Sequence, residues 1–253
     1  LTLLVYFLAP LKWRNWVLLV VSLIFYGWDT PAYILIMILS TLIDFTHGLL
    51  VEKYRADDKK ARWFVAQSVI FNLLLLGFFK YWDFLAANLS LIPGISVPQL
   101  GIPLPIGISF FTMQAVSYMF DVYRETIKSD ENLFRLGLFM SFFPQIVEGP
   151  ICRYGQTAEQ LWNVKGITFS NLTLGIQRIL FGMMKKMVVA DRLNPLIETV
   201  FSGYKDFQGG VIAIAAVCYT IQLYMDFSGT MDAVMGTAEI FGVKMPENFQ
   251  RPF

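Results

Sequence analysis

Charge is scarce in this chain. Asp, Glu, Lys and Arg make up 15% of its 253 residues, against about 25% in soluble globular domains. Histidine occurs once, at His47, and cysteine twice, at Cys152 and Cys218. One histidine without partners at ligand spacing excludes a histidine-based metal centre. Two distant cysteines exclude a disulfide framework. There is no P-loop, no Gly-x-Gly-x-x-Gly and no zinc spacing, so neither a bound cofactor nor a nucleic-acid partner is expected. No basic region precedes "LTLLVYFLAP" and no cleavage pattern follows it, so the opening run reads as the tail of a span rather than a signal peptide. The absence of an internal repeat counts against the inverted-repeat architecture of many transporters.

What is present is apolar: 56% of residues are hydrophobic and 16% aromatic, which is the composition of a membrane protein with the lipid bilayer as its first partner. Apolar stretches recur at about 1–10, 16–28, 32–51, 63–79 and 105–121, then less regularly around 134–149, 170–190 and 208–225. A spanning helix needs about 20 such residues. The connections 11–15, 52–62 and 122–135 carry ten Lys and Arg in total, whereas 29–31 and 87–104 carry none. By the positive-inside rule the basic connections are cytoplasmic, which predicts a multi-pass protein of the plasma or inner membrane with Trp28 and Ile95 near the outer face. Loop 88–104, with three prolines and two glycines, reads as an outer connection.

Ionisable groups at bilayer depth cost about 2.5–3.5 kcal/mol each and so face protein or water. The candidates are Asp44, Lys80, Asp83, Asp121, Glu148, Arg153, Asp226 and Asp232. In "SFFPQIVEGPICRY", Glu148 precedes Gly149-Pro150, which cannot continue a helix. This predicts a re-entrant helix that breaks at Pro150 and lines a cavity, with a helix ending in a surface loop as the alternative. In "YMDFSGTMD", Asp226, Ser228, Gly229 and Asp232 are expected to interrupt a span, either as an N-cap and turn or as a polar wall of the same cavity. Lys185 and Lys186 read either as interface anchors or as a basic patch for an anionic cytosolic donor. Cys152 beside Arg153 reads as a packing residue before a nucleophile.

Five stretches, "LLLLGFFKYWDF", "LPIGISFFTMQAVSYMFDVYR", "FFPQIVEGPICRY", "GMMKKMVVADRL" and "YMDFSG…PENFQRPF", resemble the membrane-bound O-acyltransferase family in order and spacing, and most of all its bacterial alginate O-acetyltransferase branch. The resemblance implies an all-α polytopic bundle with re-entrant or broken helices around a central funnel. It implies residues 1–253 as a single membrane domain, truncated at both ends, the N-terminal half to two-thirds of such a fold. It further implies acyl transfer from a cytosolic thioester, acetyl-CoA or an acyl-carrier phosphopantetheine, as co-substrate, toward an exported glycan. An extracytoplasmic accessory acyltransferase of the SGNH type is the implied partner. On this reading Gln145, Glu148, Gly149, Pro150, Arg153, Asp226, Ser228 and Asn248 line the funnel, and Lys185 and Lys186 mark the donor side. Two departures stand out. Thr230-Met231 follows "DFSG" where the family has Tyr-Ser. The family's catalytic histidine, which follows "PENF.RP", has no counterpart among these residues, so no catalytic residue is assigned. D-alanyl transfer to teichoic acid and a non-enzymatic transporter or channel are the competing readings.

Overall fold

The computed structural model describes residues 1–164 and 166–249, and among them the chain is all α-helix, without a strand. The helices are α1 Thr2–Leu8, α2 Arg14–Tyr26, α3 Tyr33–Lys53, α4 Asp58–Leu89, α5 Ile108–Tyr123, α6 Leu133–Ser141, α7 Phe143–Ile146, α8 Tyr154–Trp162, α9 Phe169–Met184, α10 Asp191–Ser202 and α11 Gly209–Ile240. Three of them, α3, α4 and α11, are long and apolar enough to cross a membrane. The chain is a membrane protein of helical-bundle type. With 32 residues each, α4 and α11 are about 48 Å long at 1.5 Å per residue and outrun a hydrocarbon core of about 30 Å.

The chain forms two compact units, one of residues 1–147 and 151–164, the other of residues 148–150 and 165–253. In the first, α3, α4 and α5 pack on one another, and α6 packs on α2, α3 and α8. Local chemistry sets the helix starts. The Asp57 side chain accepts the Lys60 N–H ahead of α4, and Asn132 accepts the N–H groups of Phe134 and Arg135 ahead of α6, satisfying donors that the first helical turn leaves open. Gly107, which opens α5, has φ +68° and lies against the Ile146 carbonyl, where any Cβ would collide; only glycine fits both demands. Beyond α4 the chain returns along it. Asp83 accepts the N–H groups of Leu100 and Gly101 at 2.8 and 3.1 Å, and the Trp82 indole donates to the Pro98 carbonyl. The Pro- and Gly-rich 88–104 connection is thus tied to α4.

Two expectations about broken helices change. The chain around Pro144 does break, but earlier than Pro150: α6 stops at Ser141, Phe142 turns the backbone at φ −50°, ψ 110°, and α7 restarts with Pro144 in its first turn. Proline is tolerated there because first-turn N–H groups have no intrahelical partner. The "YMDFSG" stretch, in contrast, does not interrupt its span. Helix α11 runs unbroken through Asp226, Ser228, Gly229 and Asp232.

Packing in the second unit explains that continuity. Helices α9 and α11 run antiparallel with glycine facing glycine: Gly175 against Gly236 and Gly182 against Gly229. A Cβ added at Gly236 would stand 2.6 Å from the Gly175 carbonyl oxygen, and one at Gly229 would stand 2.7 Å from that of Gly182. Such close approach is the route by which helices associate where lipid removes the hydrophobic drive. Gly229 is a packing surface within a helix, not a break.

Candidate functional site

The polar residues of the second unit converge on the flank of α9 and α11. After Met184 the α9 helix widens into a π turn over Lys185–Ala190 before α10 begins. Such turns are rare and recur at functional sites. Lys185 and Lys186 occupy its start. Lys185 Nζ donates to Asp232 Oδ2 at 2.7 Å and lies 4.6 Å from the centre of the Phe181 ring. Lys186 Nζ donates to Asp226 Oδ1 at 2.5 Å and stands 3.9 Å from Asp191. Glu148, the exposed carboxylate of the small 148–150 piece, also acts on the Lys186 charge. Two turns earlier on α9, Arg178 bridges two carboxylates: Asp232 Oδ1 at 3.0 Å and both oxygens of Glu247 at 2.5 Å. The segment 243–249 is thereby fastened to α9. Between them lies a cleft of about 520 Å³ lined by Leu174, Gln177, Arg178, Met235, Glu239, Lys244, Met245 and Glu247.

Charge in this site is compensated. Asp226, Asp232 and Glu247 each accept from a cation, so they orient and hold side chains and do not serve as free bases. Lys185 and Lys186, expected as a donor-side patch, are both ion-paired. Asp226 and Asp232 both use α11 as scaffold, and Ser228 between them is buried with its hydroxyl unpartnered among the described residues. Asn248 is exposed beside Glu247.

In the first unit the "SFFPQIVEGPICRY" segment is mostly interior. Gln145 is 2% exposed, and its amide has no oxygen or nitrogen partner among the described residues; its neighbour is the Cys152 thiol. Cys152 is fully buried, which suits packing rather than nucleophilic attack. Arg153 is exposed and its backbone N–H donates to Gln156 Oε1 at the start of α8. Gly149 and Pro150, both buried, belong with Glu148 to the other unit. The single histidine binds its own helix, His47 Nδ1 lying 2.8 Å from the Ile43 carbonyl, with its ring against Phe64.

The main feature that sequence reading passed over stands just after Arg153. Asp130, 1% exposed, takes a two-pronged bond from Arg135, at 2.8 and 2.6 Å, and a further bond from the Tyr154 hydroxyl. The Asp130 N–H donates to the Tyr118 hydroxyl at 2.9 Å. This hub ties α5, α6 and α8 together and anchors the "GPICRY" segment at its C-terminal end.

Against known proteins, the chain is 32% identical over 252 residues to the probable alginate O-acetylase of Azotobacter vinelandii, covering 98% of this chain and 50% of that protein. Over nearly its whole length it is similar to the alginate O-acetylases. Among its other relatives are the peptidoglycan O-acetyltransferase of Helicobacter pylori, 29% identical over 96% of the chain and 51% of that protein, and the teichoic acid D-alanyltransferase of Bacillus subtilis, 29% identical over 81% of the chain and 52% of that protein. The chain spans about half the length of the curated relatives it matches. No protein-family model matches the chain.

Proposed function

We propose that this chain is part of a membrane-bound O-acyltransferase that moves an acetyl group from a cytosolic thioester donor toward an exported polysaccharide. The observation that carries the reading is the 32% identity to an alginate O-acetylase across 98% of the chain. The match to the teichoic acid D-alanyltransferase covers less, 81%. Transfer of an acyl group to a hydroxyl needs a base to take the hydroxyl proton. The carboxylates of the α9–α11 cluster are occupied by cations and His47 is bound to its own helix, so the base comes from outside these residues. The role of the cluster is positional: the π turn, Arg178 and Glu247 hold the 243–249 segment in place.

The deciding measurement is the ester content of the exported polymer. Cells lacking the gene are expected to lose base-labile acetyl groups and to regain them with the full reading frame, D-alanyl esters remaining unchanged. Loss of D-alanine instead would move the protein to teichoic acid modification. The 253-residue polypeptide expressed alone is expected to transfer no acetyl group.

The same reading sets a multi-pass topology in the plasma or inner membrane, with 52–62 cytoplasmic and 88–104 external, after the split of basic residues. Single cysteines at Lys59 and at Gln99, in a background without Cys152 and Cys218, are expected to react with an impermeant label from opposite sides. Labelling from one side overturns the assignment.

A further inference from the structure

Asp44 lies near the midpoint of α3 and is fully buried. Facing it near the midpoint of α4 are Ser68 and Asn72, and one turn before it on α3 is Ser40, all 2% exposed or less. Asp44 Oδ1 accepts from the Ser68 hydroxyl at 2.6 Å and from Asn72 Nδ2 at 2.8 Å. Asn72 Nδ2 also donates to the Ser68 carbonyl at 3.0 Å, which fixes the orientation of that amide. Asn72 Oδ1 in turn takes the Ser40 hydroxyl hydrogen at 2.8 Å. That hydrogen is then spent, and the remaining contact, Ser40 Oγ to Asp44 Oδ2 at 3.5 Å, sets one acceptor against another. A hydrogen is missing from an otherwise closed ring, at mid-helix depth where an uncompensated carboxylate is expensive.

We propose that Asp44 is a proton-binding site inside the α3–α4 pair, holding a proton between its Oδ2 and Ser40 Oγ. With that proton every donor in the ring has an acceptor: Asp44 Oδ2–H to Ser40, Ser40 to Asn72 Oδ1, Asn72 Nδ2 to Asp44 Oδ1. No cation replaces it among the described residues. Among the titratable groups of α3 and the helices packed on it, Tyr118 of α5 is engaged by the Asp130 N–H, Arg135 of α6 is committed to Asp130, His47 binds Ile43 and Glu52 accepts from the Ser129 N–H. A metal ion fits poorly. Calcium takes about 6–8 oxygens at about 2.3–2.6 Å, whereas the four side chains here have closed on one another at 2.6–2.8 Å. Loss of the proton leaves two acceptors opposed on α3 and a bare carboxylate buried where Ser68 and Asn72 of α4 bond to it, so the pairing of α3 with α4 is linked to pH. The proposal does not depend on the acyl-transfer reading.

The test is infrared difference spectroscopy on the full-length protein in nanodiscs, wild type against Asp44→Asn, whose amide reproduces the neutral acid. The expected result is a protonated-carboxyl stretch that shifts in deuterium oxide and is lost in the variant, with the variant's thermal midpoint equal to that of the wild type at acid pH. Wild-type stability should then fall toward alkaline pH while Asp44→Asn stays flat, because the stabilising form is the protonated one. Ser40→Ala should keep the band and shift its frequency, since the partner of the proton is gone. Absence of any band assigned to Asp44, or failure of Asp44→Asn to fold, would overturn the proposal. So would a midpoint that rises with sodium but not with choline, which marks a cation site.

Discussion

Asp232→Ala is expected to lose most of its folded yield. The carboxylate takes Arg178 on one oxygen and Lys185 on the other, at 3.0 and 2.7 Å, with side chains only 12%, 30% and 16% exposed for Asp232, Arg178 and Lys185. Its removal strands Lys185, which has no other carboxylate within ion-pair distance among the described residues, and leaves Arg178 to Glu247 alone. Breaking a buried pair from one side costs about 3–5 kcal/mol, a large share of a total stability of about 5–15 kcal/mol. Asp191→Asn is the contrast. Its ion pair with Lys186 is 3.9 Å long between half-exposed groups, and such pairs contribute at most about 1 kcal/mol. Thermal midpoints in detergent separate the two. An Asp232→Ala midpoint equal to that of Asp191→Asn would show that the cluster is not a structural clasp.

Substitution along the glycine seam should be as damaging by a different route. A Cβ at Gly236 meets the Gly175 carbonyl oxygen at 2.6 Å and backbone nitrogen of Ile179 at 2.9 Å. Backbone cannot swing aside as a side chain can, so Gly236→Leu must push α9 from α11 along their length. Overpacking costs about 1–3 kcal/mol in well-packed interiors, and a two-helix contact made through backbone sits at the upper end. Gly77, inside α4, has nothing within 4 Å of its Cβ position. There Gly→Ala should stabilise by about 0.5–1 kcal/mol through the unfolded chain alone. The comparison is of monodisperse yield and midpoint for the two variants and wild type. Opposite signs are expected; a tolerated Gly236→Leu would sink the seam.

The spans were legible because lipid imposes one rule on every residue that faces it. The stretch 63–79 falls within α4, and 32–51 and 208–225 fall within α3 and α11 but for their first residue. Helix extents were less so: α4 runs on to Leu89 and α11 to Ile240, through residues whose polarity suggested a stop. Polarity marked a bonding partner there, not the end of a helix. The ion pairs were hidden because Arg178 and Glu247 lie 69 residues apart, and Lys186 and Asp226 lie 40 apart, so no local pattern carries them. The glycine seam was open to inspection, with Gly175 and Gly182, and Gly229 and Gly236, at the same seven-residue spacing in both helices. Asp44 and Ser40, like Ser68 and Asn72, sit four apart on one helical face, a signal that the count of charged residues alone obscured. The break at Phe142 escaped because Pro150 looks like the stronger helix-breaker in the sequence, whereas the first-turn position of Pro144 makes it part of a start.

The π turn at Lys185–Ala190 has a geometric consequence for everything after it. Successive residues of an α-helix are displaced by about 100° around the axis, and a single wide turn inserts one residue's worth of rotation. Met184 and Asp191 therefore belong to two helical phases rather than one. Lys185 and Lys186 stand at the start of the turn and reach two carboxylates six positions apart on α11, Asp232 and Asp226. The turn acts as a fixed angular shim: shortening 187–189 by one residue would restore a regular helix and rotate α10, with Asp191, out of step with the charges it now faces.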